Sequence, residues 1–381
     1  MPPVPGRLFV GETIDPATHQ RTGEAVALDP ASFTTHGVIV GMTGSGKTGL
    51  GIVLIEEVLL AGIPALIIDP KGDLGNLLLT FPDLSPESFA PWVETPAGQV
   101  PDPNAAAAQA TAWREGLAGW GIAPERIAEL RAKAAFTIYT PGSTAGTPLN
   151  LVGGLGAPAA GATADPESVA DEIESTVSGL LGLIGVESDP LSGREHILLA
   201  NLLMTARQAG ATLDLATVIA QVQSPPFRTL GVLELDTFFP PDDRSALALK
   251  LNGLLASPAF AAWNQGDDID IDALLTAPDG RPRAAIVSIA HLGDEERQFV
   301  VSLLLSKLVG WMRQQPGTSS LRALVYFDEV YGFAPPNGMP PAKKPILTLL
   351  KQARAFGVGL VLATQNPVSY THLTLPTILR V

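Results

Sequence analysis

Gly41-Met42-Thr43-Gly44-Ser45-Gly46-Lys47-Thr48 decides how this chain is read. The stretch fits G-x-x-x-x-G-K-[ST] at every fixed position. Glycines let the backbone wrap so that its N–H groups converge on phosphate, and a following helix adds its N-terminal dipole. In this pattern the lysine, Lys47, reaches the β- and γ-phosphates and the Thr48 hydroxyl ligates Mg²⁺. Gly41, Thr43, Gly44, Ser45, Gly46, Lys47 and Thr48 are thus the candidate phosphate-binding residues. The flanks agree. The β-branched run Gly37–Val40 precedes the loop, and the apolar-rich Gly49–Leu60 follows it with helical character. Ala65–Ile68 is a second apolar run, closed by Asp69-Pro70-Lys71-Gly72-Asp73. Strand, glycine loop, helix and strand in close succession make a βαβ unit, which predicts a parallel sheet with buried strands.

Two later stretches bear on the same chemistry. Leu324-Val325-Tyr326-Phe327-Asp328-Glu329 reads as an apolar strand ending in two acids. Alone, it is a strand end followed by solvated carboxylates. Beside a phosphate loop, Asp328 becomes the candidate Mg²⁺ ligand, directly or through water, and Glu329 the candidate general base for an attacking water. An adjacent Asp-Glu pair favours hydrolysis over nucleoside phosphorylation. Gly359-Leu360-Val361-Leu362-Ala363-Thr364-Gln365-Asn366 is a third buried strand, tipped with amides. Gln365 at such a tip is either a polar cap or a contact to the γ-phosphate and the water.

Composition narrows the alternatives. The 381 residues carry a net charge of −14, with 46% hydrophobic and 16% charged residues, enough for a large core and against a mostly disordered chain. At roughly 100–200 residues per domain, this length suggests two domains, or one core with a large insertion. With no cysteine, disulfide scaffolds and thiolate chemistry are excluded. The five histidines lack zinc-site spacing. A pI near 4.8 argues against a globally basic nucleic-acid coat. No uninterrupted apolar run reaches membrane-spanning length and the N-terminus has no signal-like core, so a cytoplasmic protein is expected.

Along the chain, Leu8–Gly11 and Ala25–Leu28 read as small strands. Helices are predicted at Asn104–Leu117 and Pro124–Ala134, with a strand at Ala135–Tyr139. Gly153–Ala164 has linker composition. Asp165-Pro166 starts a helix running to about Ile184, and further helices follow at Gly193–Gln208, Asp214–Gln223 and Arg244–Ala256. The α/β pattern resumes with a strand at Ala284–Ile289, a helix over Asp294–Gln314, the Asp-Glu strand, a helix at Pro345–Phe356 and the amide-tipped strand. No internal repeat is present.

Taken in order, GMTGSGKT, IIDPKGD, VYFDEV and GLVLATQNP resemble the HerA/FtsK superfamily of ring-forming ATPases, and most closely HerA-like bacterial ATP-binding proteins. The resemblance covers about residues 8–80 and 284–367. It implies an α/β fold: a RecA-like P-loop NTPase core (35–154 and 279–368) with a mostly parallel sheet. A small N-terminal β segment (1–34) and a large, mostly helical insertion (155–278) complete it. It implies Walker A roles for Lys47 and Thr48, Walker B roles for Asp328 and Glu329, and a sensor role for Gln365, whose strand should lie between the other two. It also implies ATP and Mg²⁺ as cofactors, a homohexamer with nucleotide between subunits, duplex DNA in the channel and, in some members, a partner nuclease. A neighbour's arginine is expected at the site, with Arg354 and Arg297 as candidates. Asp69 and Asp73 match an acidic strand end of the family, or simply close a turn.

How an acidic protein would hold DNA is answered by charge distribution. Beyond Glu329 there is no acid, while Lys343, Lys344, Lys351, Arg354 and Arg380 remain. Lys351 and Arg354, at i and i+3, share a predicted helix face that is either a DNA-facing stripe or an ordinary solvated one. His36 reads as a structural histidine or a nucleotide neighbour. Leu191-Ser192-Gly193-Arg194-Glu195 lies too far from the Asp-Glu strand to be a transporter signature, and no N-K-x-D supports guanine selectivity. Ser369–Val381 matches no family segment, so the native reading is expected to end near Val368, with 369–381 a foreign tail.

Overall fold

The computed structural model describes residues 6–93, 104–153, 155, 166–366 and 379–380. At its centre is a seven-stranded sheet. The strand order is Leu379–Arg380, Gly37–Val40, Val358–Thr364, Ala323–Phe327, Ala65–Asp69, Arg283–Ser288 and Ala135–Tyr139. Every neighbouring pair is parallel. The apolar runs read from the sequence are these strands. Their continuous hydrophobicity follows from burial on both faces: Ala65–Asp69, Ala323–Phe327 and Val358–Thr364 are buried at every position.

Alternate residues serve two cores. On one face Ile39, Ile67, Ile286, Leu324, Tyr326 and Val361 pack with Leu54, Ile55, Val58 and Leu59 of the helix Lys47–Leu60. On the other, Leu66, Ile68, Val287, Val325, Phe327 and Leu362 pack into a larger core with the helix Asp294–Arg313 and the helical middle. Burying each such side chain contributes roughly 1.5–3 kcal/mol. Phosphate-loop helix and Asp-Glu strand interlock at Gly51, where a Cβ would overlap the Tyr326 hydroxyl.

The middle of the chain forms the helices Pro166–Leu183, Arg194–Gln208, Leu215–Gln223, Pro241–Ala256 and Ile271–Leu275. Asp214 caps one of them by accepting the Thr217 amide at 2.7 Å. Leu198, Leu202, Val218 and Leu251 of these helices share the large core with the sheet.

Several boundaries differ from the sequence reading for physical reasons. The N-terminal strands are longer, Leu8–Ile14 and Arg21–Leu28, and pair antiparallel. Their polar halves carry no alternation, so hydropathy hides them. The helix expected over Pro345–Phe356 runs Lys343–Gln352 and tightens into a 3-10 turn, Ala353–Phe356, before Gly357 at φ 74°. The linker-like 153–164 lies almost wholly outside the described residues, as does most of 369–381. Of that tail, Leu379–Arg380 pairs with Ile39 and Val40 at the sheet edge.

Candidate functional site

All three predicted stretches leave their strands at the same end of the sheet. The loop follows Val40, Asp328-Glu329 follow Phe327, and Gln365 follows Thr364, whose strand lies between the other two. The loop itself is held open by glycine. Gly44 and Gly46 sit at φ 80° and 86°, conformations costly for any side chain, and Gly46 leads directly into the helix beginning at Lys47. Lys47 is buried, at 6% exposure. Thr48 is the next residue of that first turn. The Gly41 amide donates to the Thr364 carbonyl at 3.3 Å, fixing the loop's root to the amide-tipped strand.

Asp328 is fully buried, and neither carboxylate oxygen has a hydrogen-bond partner among the described residues. Burial pushes its carboxyl above the usual range. The charges of Lys71 and Lys47 pull it down, and Asp69 and Glu329 push it up again. Lys47 and Asp328 therefore share one electrostatic neighbourhood. A buried carboxylate without donors is costly unless a cation completes it. Mg²⁺ takes one or two protein oxygens and leaves the rest to phosphate and water. Asp328 and Thr48 fit that donor set. Among the described residues no cluster of three or more His, Cys, Asp or Glu side chains that could hold a metal ion exists.

Glu329 sits in left-handed backbone, φ 51° and ψ 65°, a strained position for a non-glycine residue. Its carboxylate is held on both sides. Oε1 accepts from Thr364 Oγ1 at 3.2 Å and from the Gln365 amide at 3.4 Å. Oε2 accepts from Lys71 Nζ at 3.2 Å. Gln365 Oε1 in turn accepts from Thr43 Oγ1 at 3.0 Å. The structure thus links loop, amide tip and acid pair in one hydrogen-bonded chain.

Lys71 is the member that sequence reasoning missed. It lies on the turn after Ala65–Asp69, and its Nζ also stands 3.7 Å from Asp328 Oδ2. The only available signal was a lysine just past an apolar strand. Nothing in the sequence says that this strand neighbours the Asp-Glu strand. Of the two acids flagged on that turn, Asp69 is buried and accepts the amides of Lys71, Gly72 and Leu74 at 3.2, 2.8 and 3.0 Å. It closes the turn. Asp73 is exposed and begins the next 3-10 turn.

The other candidates lie elsewhere. Arg297 donates to the carbonyls of Ile289 at 3.1 Å and Ala290 at 2.8 Å, which commits its guanidinium to its own chain. Arg354 precedes the amide-tipped strand, at the end opposite Gln365. Seven strand residues at about 3.3 Å each separate them by more than 20 Å. Arg354 and Lys351 are exposed, and they line an acid-free surface hollow with Arg313, Thr35, Thr318 and Ser319. His36 is structural: its Nδ1 accepts the Leu360 amide and its Nε2 pairs with the Leu350 carbonyl, both at 3.1 Å.

A parallel α/β sheet with a glycine-rich phosphate loop on one strand and a buried acid two strands away has the architecture of RecA-like P-loop ATPases. Comparison with known proteins agrees. Residues 9–112 match the family model described as "Helicase HerA, central domain". The fold is similar to VirB4 of Thermoanaerobacter pseudethanolicus, with 14% identity and a TM-score of 0.56, over 100% of this chain and 85% of that one. It is also similar to the plasmid coupling protein TrwB in complex with a non-hydrolysable ATP analogue, with 13% identity and a TM-score of 0.50, over 97% and 76%. No curated protein sequence matches the chain. The resemblance to HerA-type ATPases is thus supported over residues 9–112, and the chain as a whole shares the fold of the two solved structures.

Proposed function

We propose that this chain is an ATP-hydrolysing motor of the HerA/FtsK type that works as a homohexamer in the cytoplasm and moves duplex DNA. One observation carries the reading: Thr43, Gln365, Glu329, Lys71 and Asp328, far apart in sequence, meet at one end of the sheet around a buried, donor-less carboxylate. That arrangement suits a triphosphate. Loop amides and Lys47 would grip the β- and γ-phosphates. Thr48 and Asp328 would hold Mg²⁺, which when bound supplies positive charge to the phosphate oxygens. Glu329 would orient a water in line with the γ-phosphorus and accept its proton as the γ-phosphoryl leaves ADP. Gln365, tied to Thr43 and to Glu329, would sense the change in phosphate state. Arg354 faces away from its own site, so any part it plays at a nucleotide would be at a neighbour's.

DNA as the substrate rests on the family match over residues 9–112 and on the cations Lys351 and Arg354. Among the described residues no single helix is long and apolar enough to cross a membrane. The similarity to a plasmid coupling protein favours a second reading, a conjugation- or secretion-type ATPase acting on protein or protein–DNA complexes. The deciding experiment is steady-state ATP hydrolysis with and without duplex DNA, alongside Lys47→Ala and Glu329→Gln. The motor reading expects DNA stimulation, loss of nucleotide binding in Lys47→Ala, and retained binding without turnover in Glu329→Gln. Turnover indifferent to DNA moves the assignment to the second reading, and turnover unchanged in Glu329→Gln removes Glu329 as the base.

A further inference from the structure

Lys71 stands where a second cation is wanted. Its backbone is pinned by Asp69, which accepts the amides of Lys71, Gly72 and Leu74. The side chain, one-third exposed, crosses to the neighbouring strand end. There the ammonium lies 3.2 Å from Glu329 Oε2 and 3.7 Å from the fully buried Asp328. Asp328 receives no hydrogen bond from any described residue, so nearby positive charge is its only compensation. Glu329, clamped between Lys71, Thr364 and Gln365, has both oxygens engaged. A carboxylate held this way is poorly placed to take a proton from water.

We propose that Lys71 is a built-in stand-in for the divalent cation: it neutralises the Asp328–Glu329 pair when nucleotide is absent and must swing out before Mg²⁺ settles against Asp328. A divalent ion on Asp328 and an ammonium within 4 Å of the same fully buried carboxylate repel each other. Loading and release are therefore one event. Lys71 leaves, Glu329 Oε2 loses its partner, and the base becomes free only when metal and nucleotide are present. Lys71 is a positioning residue that acts through Glu329, and its flexible four-carbon stem on an exposed turn gives it room to withdraw. The inference rests on the nucleotide reading for its meaning but makes a prediction that needs no nucleotide.

The test is thermal melting of the full chain against Mg²⁺ alone, for wild type, Lys71→Met and Lys71→Arg. Without Mg²⁺, Lys71→Met melts below wild type, because Asp328 has lost the stronger of its two compensating charges and keeps only Lys47. Adding Mg²⁺ restores it with a midpoint about five- to a hundredfold lower than in wild type, the usual span of a coupling between two sites. Lys71→Arg keeps a midpoint near wild type. Should Lys71→Met not melt cooperatively, Lys71→Gln is read in the same way. Equal Mg²⁺ midpoints in wild type and the neutral variant overturn the proposal. So does a neutral variant that loses affinity for fluorescent ADP in EDTA as Lys47→Ala does, since Lys71 would then be a phosphate ligand. Wild type that binds no ADP at all refutes the nucleotide reading instead, a separate outcome from the metal titration.

Discussion

Thr43 and Gln365, 322 positions apart in the chain, are joined by a 3.0 Å hydrogen bond from the threonine hydroxyl to the glutamine carbonyl oxygen. Through the Gln365 amide the same residue reaches Glu329. Loop and acid are thereby connected through one residue, by its side chain to the loop and by its backbone amide to the acid. Gln365→Ala removes the side-chain link and keeps the backbone one. Turnover is expected to fall roughly a hundredfold, as for loss of one preorganised polar group, with ADP affinity within a few-fold of wild type. Parallel measurement of kcat and of fluorescent ADP binding checks this, and an equal loss in both would place Gln365 in binding alone.

His36 makes the fold sensitive to acid. Its Nδ1 accepts the Leu360 amide, which requires a neutral ring, and burial lowers its pKa below the usual histidine value of 6.5. The unfolded chain therefore takes up a proton that the folded one refuses. Stability is full above about pH 6.5 and declines as pH falls below it, until the folded ring also protonates. Melting temperature from pH 8 to 5 should drop more in wild type than in His36→Gln, and identical slopes would contradict the assignment.

Glu56 works in the opposite direction. Burial, then the neighbouring Glu57, push its carboxyl up to about 7, against 4.5 for the free group. Between these values the folded state binds more protons than the unfolded, so this residue's contribution to stability falls as pH rises from 4.5 to 7. Glu56→Gln should raise stability at pH 8 by on the order of 1–3 kcal/mol and change it little at pH 4. Chemical denaturation at the two pH values provides the comparison.

The two arginines flagged by sequence should separate cleanly. Arg297→Ala removes two charge-assisted bonds to backbone carbonyls, with an expected loss of about 1–3 kcal/mol in the isolated chain. Arg354→Ala removes an exposed side chain with no partner among the described residues and should stay within about 0.5 kcal/mol of wild type. If Arg354 serves a neighbour, its loss lowers activity only where subunits assemble. Mixing Arg354→Ala with Lys47→Ala chains should then restore some turnover, because a mixed interface pairs an intact loop with an intact arginine.

Most of the sheet was legible because its strands are buried on both faces, and Ala65–Ile68, Leu324–Phe327 and Leu360–Ala363 advertise that by unbroken hydrophobicity. The loop was legible because Gly44 and Gly46 need φ values that only glycine adopts freely. Strand adjacency has no such local signature. Lys71 escaped notice for that reason: its meaning depends on Ala65–Asp69 lying beside Ala323–Phe327, a pairing across more than 250 residues. Thr364 escaped for the same reason. The exposed hairpin was read short because the outer halves of Leu8–Ile14 and Arg21–Leu28 pair through backbone with little apolar patterning. Arginine partners, too, are invisible in sequence, and only coordinates distinguish the engaged Arg297 from the unengaged Arg354.

The order of strands has a consequence for how the chain is made. Of the strands in the seven-stranded sheet, Gly37–Val40 and Ala65–Asp69 are made first but are not neighbours; Ala323–Phe327 and Val358–Thr364, synthesised later, fill the gap between them. At about 5–20 residues per second, the early pair waits roughly 15–60 s for its central partners. During that interval two apolar strands have open edges that could recruit the wrong chain. Asp328 and Glu329 likewise follow the glycine loop by about 280 residues, so the hydrogen-bonded chain from Thr43 to Glu329 closes only once the last strands are in place.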